Sequence, residues 1–214
     1  MDALERGIDA AARRDFDAAI RAFTEAIEAN ERLPLAYRHR GHAYVGKGEW
    51  DKAIADLTKA IAMDPTAAHP FGNLGYALMR IGDYRAAISN CTEAIRIDPD
   101  LAGAYSCRGH SYLRLGEWGR AIADFTRTIG LTAGFPRLTS NSYSQRGYAY
   151  GRAGDFERAM ADFSEAIRLD PNNGEAFYFR GIGYQHTGET AKAEADLAQA
   201  RELQYKPQSR GPHM

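Results

Sequence analysis

The stretch YRHRGHAYVGKGEWDKAIADLTKAI, residues 37–61, decides the fold. Its second half places Trp50, Ala53, Ile54, Leu57, Ala60 and Ile61 at three- and four-residue steps, the period of an amphipathic helix. Its first half carries His39 and His42 three residues apart, a spacing that puts both imidazoles on one face of a helix. Between the halves stands Gly48, a residue that can end a helix by turning left-handed. The stretch reads as two helices joined by a tight turn. It leaves open whether the histidines belong to the frame of the protein or are guests on it.

The phrase returns, and the returns answer the question. YSCRGHSY at 105–112, YSQRGYAY at 143–150 and FYFRGIGY at 177–184 match YRHRGHAY, and FGNLGYAL at 71–78 is the same phrase with changes. Each is followed by glycine, an acid, usually an aromatic, and an Ala/Ile-rich run. Gly41, Gly75 and Gly109 stand 34 residues apart, as do Gly147 and Gly181, whereas Gly109 and Gly147 are 38 apart. Four residues, 136–139, are therefore inserted. Positions within a repeat are numbered here as slots 1–34, with repeats beginning at Pro34, Ala68, Ala102, Ser140 and Gly174. A degenerate first copy puts Gly7 in slot 8, Phe16 in slot 17 and Phe23 in slot 24, making six. The frame needs Tyr37, Arg40, Gly41 and Tyr44, so His39 and His42 are guests.

The layout resembles the tetratricopeptide repeat, with its aromatic–small–aromatic first helix followed by Ala, Phe and Pro at set intervals. Pro65, Pro99 and Pro171 end three of the second helices. The resemblance implies an all-α fold: a right-handed superhelical α-solenoid of helix pairs A and B, whose A helices line a concave groove. It covers one array, residues 1–207, in repeats of about 1–33, 34–67, 68–101, 102–135, 140–173 and 174–207, followed by a tail, 208–214, whose GPHM looks like a cloning remnant.

Departures from the frame carry information. Repeat 1 has Arg14 where glycine would sit and Glu31 where proline would sit. Slots 21 and 28 hold isoleucine or methionine in repeats 1–5 but Glu194 and Arg201 in repeat 6, a polar outer face suited to an end cap. The insertion reads as a longer loop over 131–140; a contact surface made by Phe135 and Leu138 is the alternative. Slot 7 holds Arg40, Arg108, Arg146 and Arg180 where slot 23 holds Asp56, Asp124, Asp162 and Asp196. In repeat 3 both change together, to Leu74 and Asn90. These are expected to be ion pairs between helices A and B. Repeat 1 breaks the rule, with Arg6 but Ala22.

Bulk properties exclude several classes. A formal net charge of −1 gives no general pull toward nucleic acid or an anionic membrane. No apolar run is long enough for a membrane span, and the first residues do not form a signal peptide. Two cysteines, Cys91 and Cys107, fit a reducing compartment, so a cytoplasmic location is expected. No phosphate loop or nucleophile motif stands outside the repeat, so no enzyme and no cofactor are expected. Cys107 near His110 could be called a dyad, but slots 6 and 9 are expected at solvent with no orienting third group. Zinc needs three or four ligands, and His69, Cys107 and His110 beside His39 and His42 do not close a shell, so no metal is expected. Cys91, in slot 24, is expected to be a buried small apolar residue.

In the family, slots 2, 5, 6, 9, 12 and 13 face the groove. The candidate peptide-binding residues on this basis are Arg38, His39, His42, His69, Asn73, Tyr76, Arg80, His110, Arg114, Gln145, Tyr148 and Arg152. The arginines make the trough cationic, and five histidines in it would add charge as pH falls. The expected function is a non-catalytic adaptor holding an extended or helical, acidic protein segment. The alternative is a self-assembling scaffold, a homo-oligomer joined through groove or loop. The family's chaperone-tail clamp transfers poorly: its positions hold Arg38, His42, Asn73, Gly103 and Cys107, without the last two cations.

Overall fold

The computed structural model describes residues 1–30 and 32–207; Glu31 and the tail 208–214, both singled out above, lie outside the described residues. Among the described residues there are twelve helices and no strand. They alternate as A and B helices: α1 (Ala3–Ala12) and α2 (Phe16–Ala29), α3 (Pro34–Lys47) and α4 (Trp50–Met63), α5 (Ala68–Ile81) and α6 (Tyr84–Ile97), α7 (Ala102–Leu115) and α8 (Trp118–Leu131), α9 (Pro136–Arg152) and α10 (Phe156–Leu169), α11 (Gly174–His186) and α12 (Thr190–Glu202). The chain forms two compact units, Met1–Ser111 and Tyr112–Met214.

The repeat's glycines divide into two mechanical roles. Those in slot 15 take the left-handed backbone that ends helix A: Gly48, Gly82, Gly116, Gly154 and Gly188 have φ between 76 and 90°. Arg14 occupies the same slot of repeat 1 and adopts the same conformation, φ 61°, against the preference of a side-chain-bearing residue. The turn is thus imposed by the packing of the hairpin, and glycine is its easiest occupant. Slot-8 glycines serve close approach. A Cβ on Gly75 would lie 2.5 Å from Cys91 Sγ and 3.2 Å from the Ala87 carbonyl, and one on Gly147 would lie 2.9 Å from the Phe163 ring and 3.2 Å from the Ala159 carbonyl. Gly7 meets Phe23, Gly41 meets Leu57 and Gly181 meets Leu197 in the same way. Slot 24 fills the space that slot 8 leaves.

Slot 16 is acidic because it starts helix B. Asp15, Asp83 and Asp155 accept hydrogen bonds from the backbone N–H of Ala18, Ala86 and Arg158, the N-cap arrangement. Glu49, Glu117 and Glu189, one methylene longer, make no such cap and pair with the base three residues on, Lys52, Arg120 and Lys192.

In the first unit the core is a chain of small clusters. Phe23 packs with Ala10, Ala19 and Ala43; Leu57 with Ala53, Leu74 and Ala77, flanked by Ile54 and Ile61; and Cys91 with Ala94, Ala104 and Cys107. Cys91 is fully buried, in the small apolar role expected of it. Among the described residues of the second unit, Phe125, Tyr148, Phe163 and Phe179 meet Leu113, Ala121, Ala149 and Ala159 in one cluster. Met160 in slot 21 lies against Gly183 of the next repeat, so this slot packs forward along the array. Glu194 and Arg201, its polar replacements in repeat 6, are exposed. After α12 the chain turns at Gln204, φ 56°, and Tyr205 folds back against Gly174 and the Tyr178 ring, 5.4 Å between centroids.

The insertion is helix, which corrects the longer-loop reading. Residues 136–139 form the first turn of α9, a helix of 17 residues where three preceding A helices have 14. Pro136 is at its start, where a missing N–H costs nothing. Hydroxyl groups replace the missing Asp-Pro turn. Thr132 caps onto the Thr128 carbonyl, Thr139 donates to the Thr132 carbonyl, and Ser140 donates to the Ala166 carbonyl at 2.7 Å. Asn173 Nδ2 donates to Ser140 and Ser144 Oγ, each at 2.9 Å, tying α11 to α9. Phe135 and Leu138 are exposed.

One substitution made at two glycines tests the close-approach account. Gly75→Ala is expected to lower stability by about 1–3 kcal/mol through overpacking against Cys91 and the Ala87 carbonyl. Gly103→Ala, in an A helix where an added Cβ meets nothing within 4 Å, is expected to raise it by about 0.5 kcal/mol. Urea midpoints moving in the same direction would contradict this.

Candidate functional site

Two kinds of arginine separate in the structure. Arg40, Arg146 and Arg180 form two-bond forks with the aspartate sixteen residues on: Arg40 to Asp56 at 2.7 and 2.9 Å, Arg146 to Asp162 at 2.8 and 2.8 Å, and Arg180 to Asp196 at 2.7 and 2.9 Å. The pairs are largely buried, and the aspartate bonds hold each guanidinium above its ordinary pKa. Each arginine has a third arm. Nη1 donates to a hydroxyl of the preceding repeat: Thr24 for Arg40, Thr126 for Arg146 and Ser164 for Arg180; Arg108 likewise reaches Thr92. The clamp joins helix A, its own helix B and the previous helix B. The hydroxyl arm went unread in the sequence, although slot 25 is Thr24, Thr58, Thr92, Thr126 and Ser164 in five repeats. In repeat 3, Leu74 is buried against Leu57 and Asn90 turns to its own helix, donating to the Ala86 carbonyl at 2.9 Å. Repeat 1, lacking the aspartate, pairs Arg6 with Glu25 at 2.6 Å instead.

Most guest residues of the first unit lie on A helices α3 and α5, and His110 lies on α7. His42 Nδ1 accepts from Asn73 Nδ2 at 3.2 Å, across that helix pair. Arg38 Nη2 lies 3.1 Å from His39 Nε2. A guanidinium only donates, so that nitrogen is the unprotonated acceptor. His39 is stacked on Phe23, 5.6 Å between centroids. Burial, then the Arg38 charge, then His42 lower its pKa to about 4. His39 therefore leaves the set of groove histidines expected to charge near neutral pH. His69, His42 and Arg80 are exposed; Asn73 and Tyr76 are half-buried. Arg80 lies 4.6 Å above the Trp50 ring and donates Nη1 to Tyr76 Oη at 3.0 Å. Cys107 departs from the expected solvent position. It is buried beside Cys91, which, with burial, holds its thiol well above the ordinary cysteine range and makes it a poor nucleophile. His110 Nδ1 is turned to the Ser106 carbonyl, 2.8 Å away.

In the second unit Gln145, Tyr148 and Arg152 lie on α9, and Arg114 lies on α7. Arg152 sits 4.8 Å above Trp118 with Nη1 3.4 Å from Tyr148 Oη. Tyr148 is buried against Phe179, so its ring is a floor with the hydroxyl presented to Arg152. Gln145 is buried too; it donates Nε2 to Glu175 at 2.6 Å, and its Oε1 has no partner. Arg114 is exposed. Among the described residues no three His, Cys, Asp or Glu side chains are grouped to hold a metal ion, and no helix is long and apolar enough to cross a membrane.

A tetratricopeptide-repeat model matches residues 140–173, and a TPR repeat model matches 41–82 and 75–116, together just over half of the chain. The chain belongs to the tetratricopeptide-repeat family. No curated protein sequence matches it. Among solved structures, a crystal structure of MamA is similar at 30% identity, covering 79% of this chain and 96% of MamA, with a TM-score of 0.68. YrrB, described as a TPR protein with an unusual peptide-binding site, shares the fold at 23% identity, covering 86% and 92%, TM-score 0.69. The Cut9–Hcn1 hetero-tetramer of APC/C contains the fold at 18% identity, covering 94% of this chain and 39% of that one, TM-score 0.79. Tetratricopeptide arrays are protein-interaction scaffolds, and this chain carries that scaffold.

The clamp can be tested with the substitution that repeat 3 already carries. Asp56→Ala leaves a buried guanidinium without its anion and is expected to cost about 3 kcal/mol. Arg40→Leu with Asp56→Asn should recover most of that loss in thermal or urea unfolding. A double variant as unstable as Asp56→Ala would show that the charges, and not their pairing, matter.

His39 sets a second test. The unfolded chain protonates this ring near 6.5, the folded chain near 4, so between those values the unfolded state binds more protons and stability falls as pH falls. From pH 7 to 5 the wild type should lose about 1 kcal/mol more than His39→Gln, after allowance for partial exposure of the ring. Identical pH profiles would contradict the buried neutral imidazole.

Proposed function

We propose that this protein is a non-catalytic adaptor whose A-helix faces hold an extended, acidic segment of a partner protein. The observation that carries the reading is the surface built by α3 and α5. Arg38 and Arg80 stand there without an acidic hydrogen-bond partner among the described residues, beside Asn73 and exposed His42 and His69. Other exposed arginines are engaged with carboxylates, such as Arg13 with Asp9 and Arg96 with Glu93. Arg38 feels the Asp64 carboxylate through space but bonds only His39, and Arg80 bonds Tyr76, so both keep donors for an external anion. The peptide-binding site ascribed to YrrB supports the same use of this scaffold. Such contacts lie at a surface and should weaken with salt. Self-assembly is the second reading, favoured by exposed Phe135 and Leu138 on the first turn of α9.

The test is capture from the native cell extract with wild-type protein beside Arg38→Glu/Asn73→Glu. The reversed variant is expected to lose the wild-type partners while keeping its unfolding midpoint. An unchanged partner set would remove the α3–α5 face as the binding surface, and recovery of the chain's own copies alone would favour self-assembly.

A further inference from the structure

We propose that Trp50–Tyr76–Arg80 and Trp118–Tyr148–Arg152 are two copies of one carboxylate-binding station. The inference rests on the acidic-partner reading and names the groups that meet the acid. Each station takes slot 17 from one repeat and slots 9 and 13 from the next, and each lies wholly within one unit. The chain has two tryptophans, and both are used this way. The guanidinium carbons stand 4.6 and 4.8 Å from the indole rings, and Nη1 reaches the tyrosine hydroxyl at 3.0 and 3.4 Å.

Stacking uses the face of a guanidinium and leaves its edge. With Nη1 held by tyrosine, Nη2 and Nε remain as in-plane donors, a spacing that matches the two oxygens of a carboxylate. The indole removes water from one side and the tyrosine fixes the rotamer, so less freedom is lost when an anion docks. Neither Arg80 nor Arg152 has an acidic partner among the described residues, in contrast to the bidentate Asp forks of Arg40, Arg146 and Arg180. The same slots hold Tyr84 and Arg114 at the junction of repeats 3 and 4, an arginine without a tryptophan, and two other junctions carry other heads on the shelf. Phe16 lies against Gly46, which has no side chain, and Phe156 stacks on His186, 6.2 Å between centroids. The aromatic shelf belongs to the repeat; the arginine on tryptophan is the added feature. The ligand is a side-chain or terminal carboxylate of an Asp- or Glu-bearing segment.

Because each tryptophan underlies one arginine, its fluorescence reports one station. Trp118→Phe isolates the first and Trp50→Phe the second. Titration with an oligo-glutamate peptide is expected to change the emission of both proteins saturably, while oligo-glutamine and inorganic phosphate at equal concentration do not. Arg80→Gln should weaken the response of Trp50 by about ten-fold or more and leave that of Trp118 unchanged; Arg152→Gln should do the reverse. Circular dichroism establishes that each variant is folded. Silent tryptophans, a response that survives the arginine substitutions, or one reproduced by oligo-glutamine or phosphate would each overturn the proposal. Partner capture abolished by Arg38→Glu/Asn73→Glu, with both tryptophans silent, would leave the binding face standing and remove the stations alone.

Discussion

The structure depends on an arginine fork that joins three helices at once. In slot 7 the guanidinium holds the aspartate of its own helix B with two short bonds and a hydroxyl of the preceding helix B with a third, as in Arg40 with Asp56 and Thr24. A repeat protein has few contacts between distant parts of the chain, so its order is set by the junction between neighbours. Apolar packing alone tolerates sliding; a planar fork with fixed partners does not. The slot-8 glycine makes the fork possible by letting the two helices approach until the slot-24 side chain touches the backbone of its partner.

This frame sorts the remaining polar residues. Once Arg40, Arg146 and Arg180 are committed to aspartates, they are unavailable to a ligand, and the arginines lying over tryptophan become distinct. The histidines divide similarly. His42 and His69 are at the surface, whereas His39 is a semi-buried ring stacked on Phe23 and serves the frame as much as the site. The opening pair of histidines is thus one of each kind.

Much of this was legible in the sequence because the repeat supplies its own comparison. A fixed 34-residue period gave the helix pairs, the turn glycines, the Arg–Asp pairing and the compensated Leu74/Asn90 variant. What escaped depends on third partners. The slot-25 hydroxyl and the slot-17 shelf lie in the neighbouring repeat, so a reading confined to one repeat could not connect them to the arginine. The 136–139 insertion read as loop because insertions favour loops; Pro136 at a helix start and the hydroxyls of Thr132, Thr139 and Ser140 make it helix. Cys107 read as exposed because its slot faces outward in the family, but in this chain the small Cys91 leaves room for it in the core.

The central claim is that the arginines of this chain fall into a framework set and a ligand set. The most direct measurement compares urea unfolding of Arg146→Gln with that of Arg80→Gln/Arg152→Gln. The account predicts a loss of about 3 kcal/mol or more for the first, which strands Asp162, and under about 1 kcal/mol per site for the second, the scale of an exposed cation–aromatic contact. Equal losses per arginine would contradict it, because both kinds would then be holding the fold.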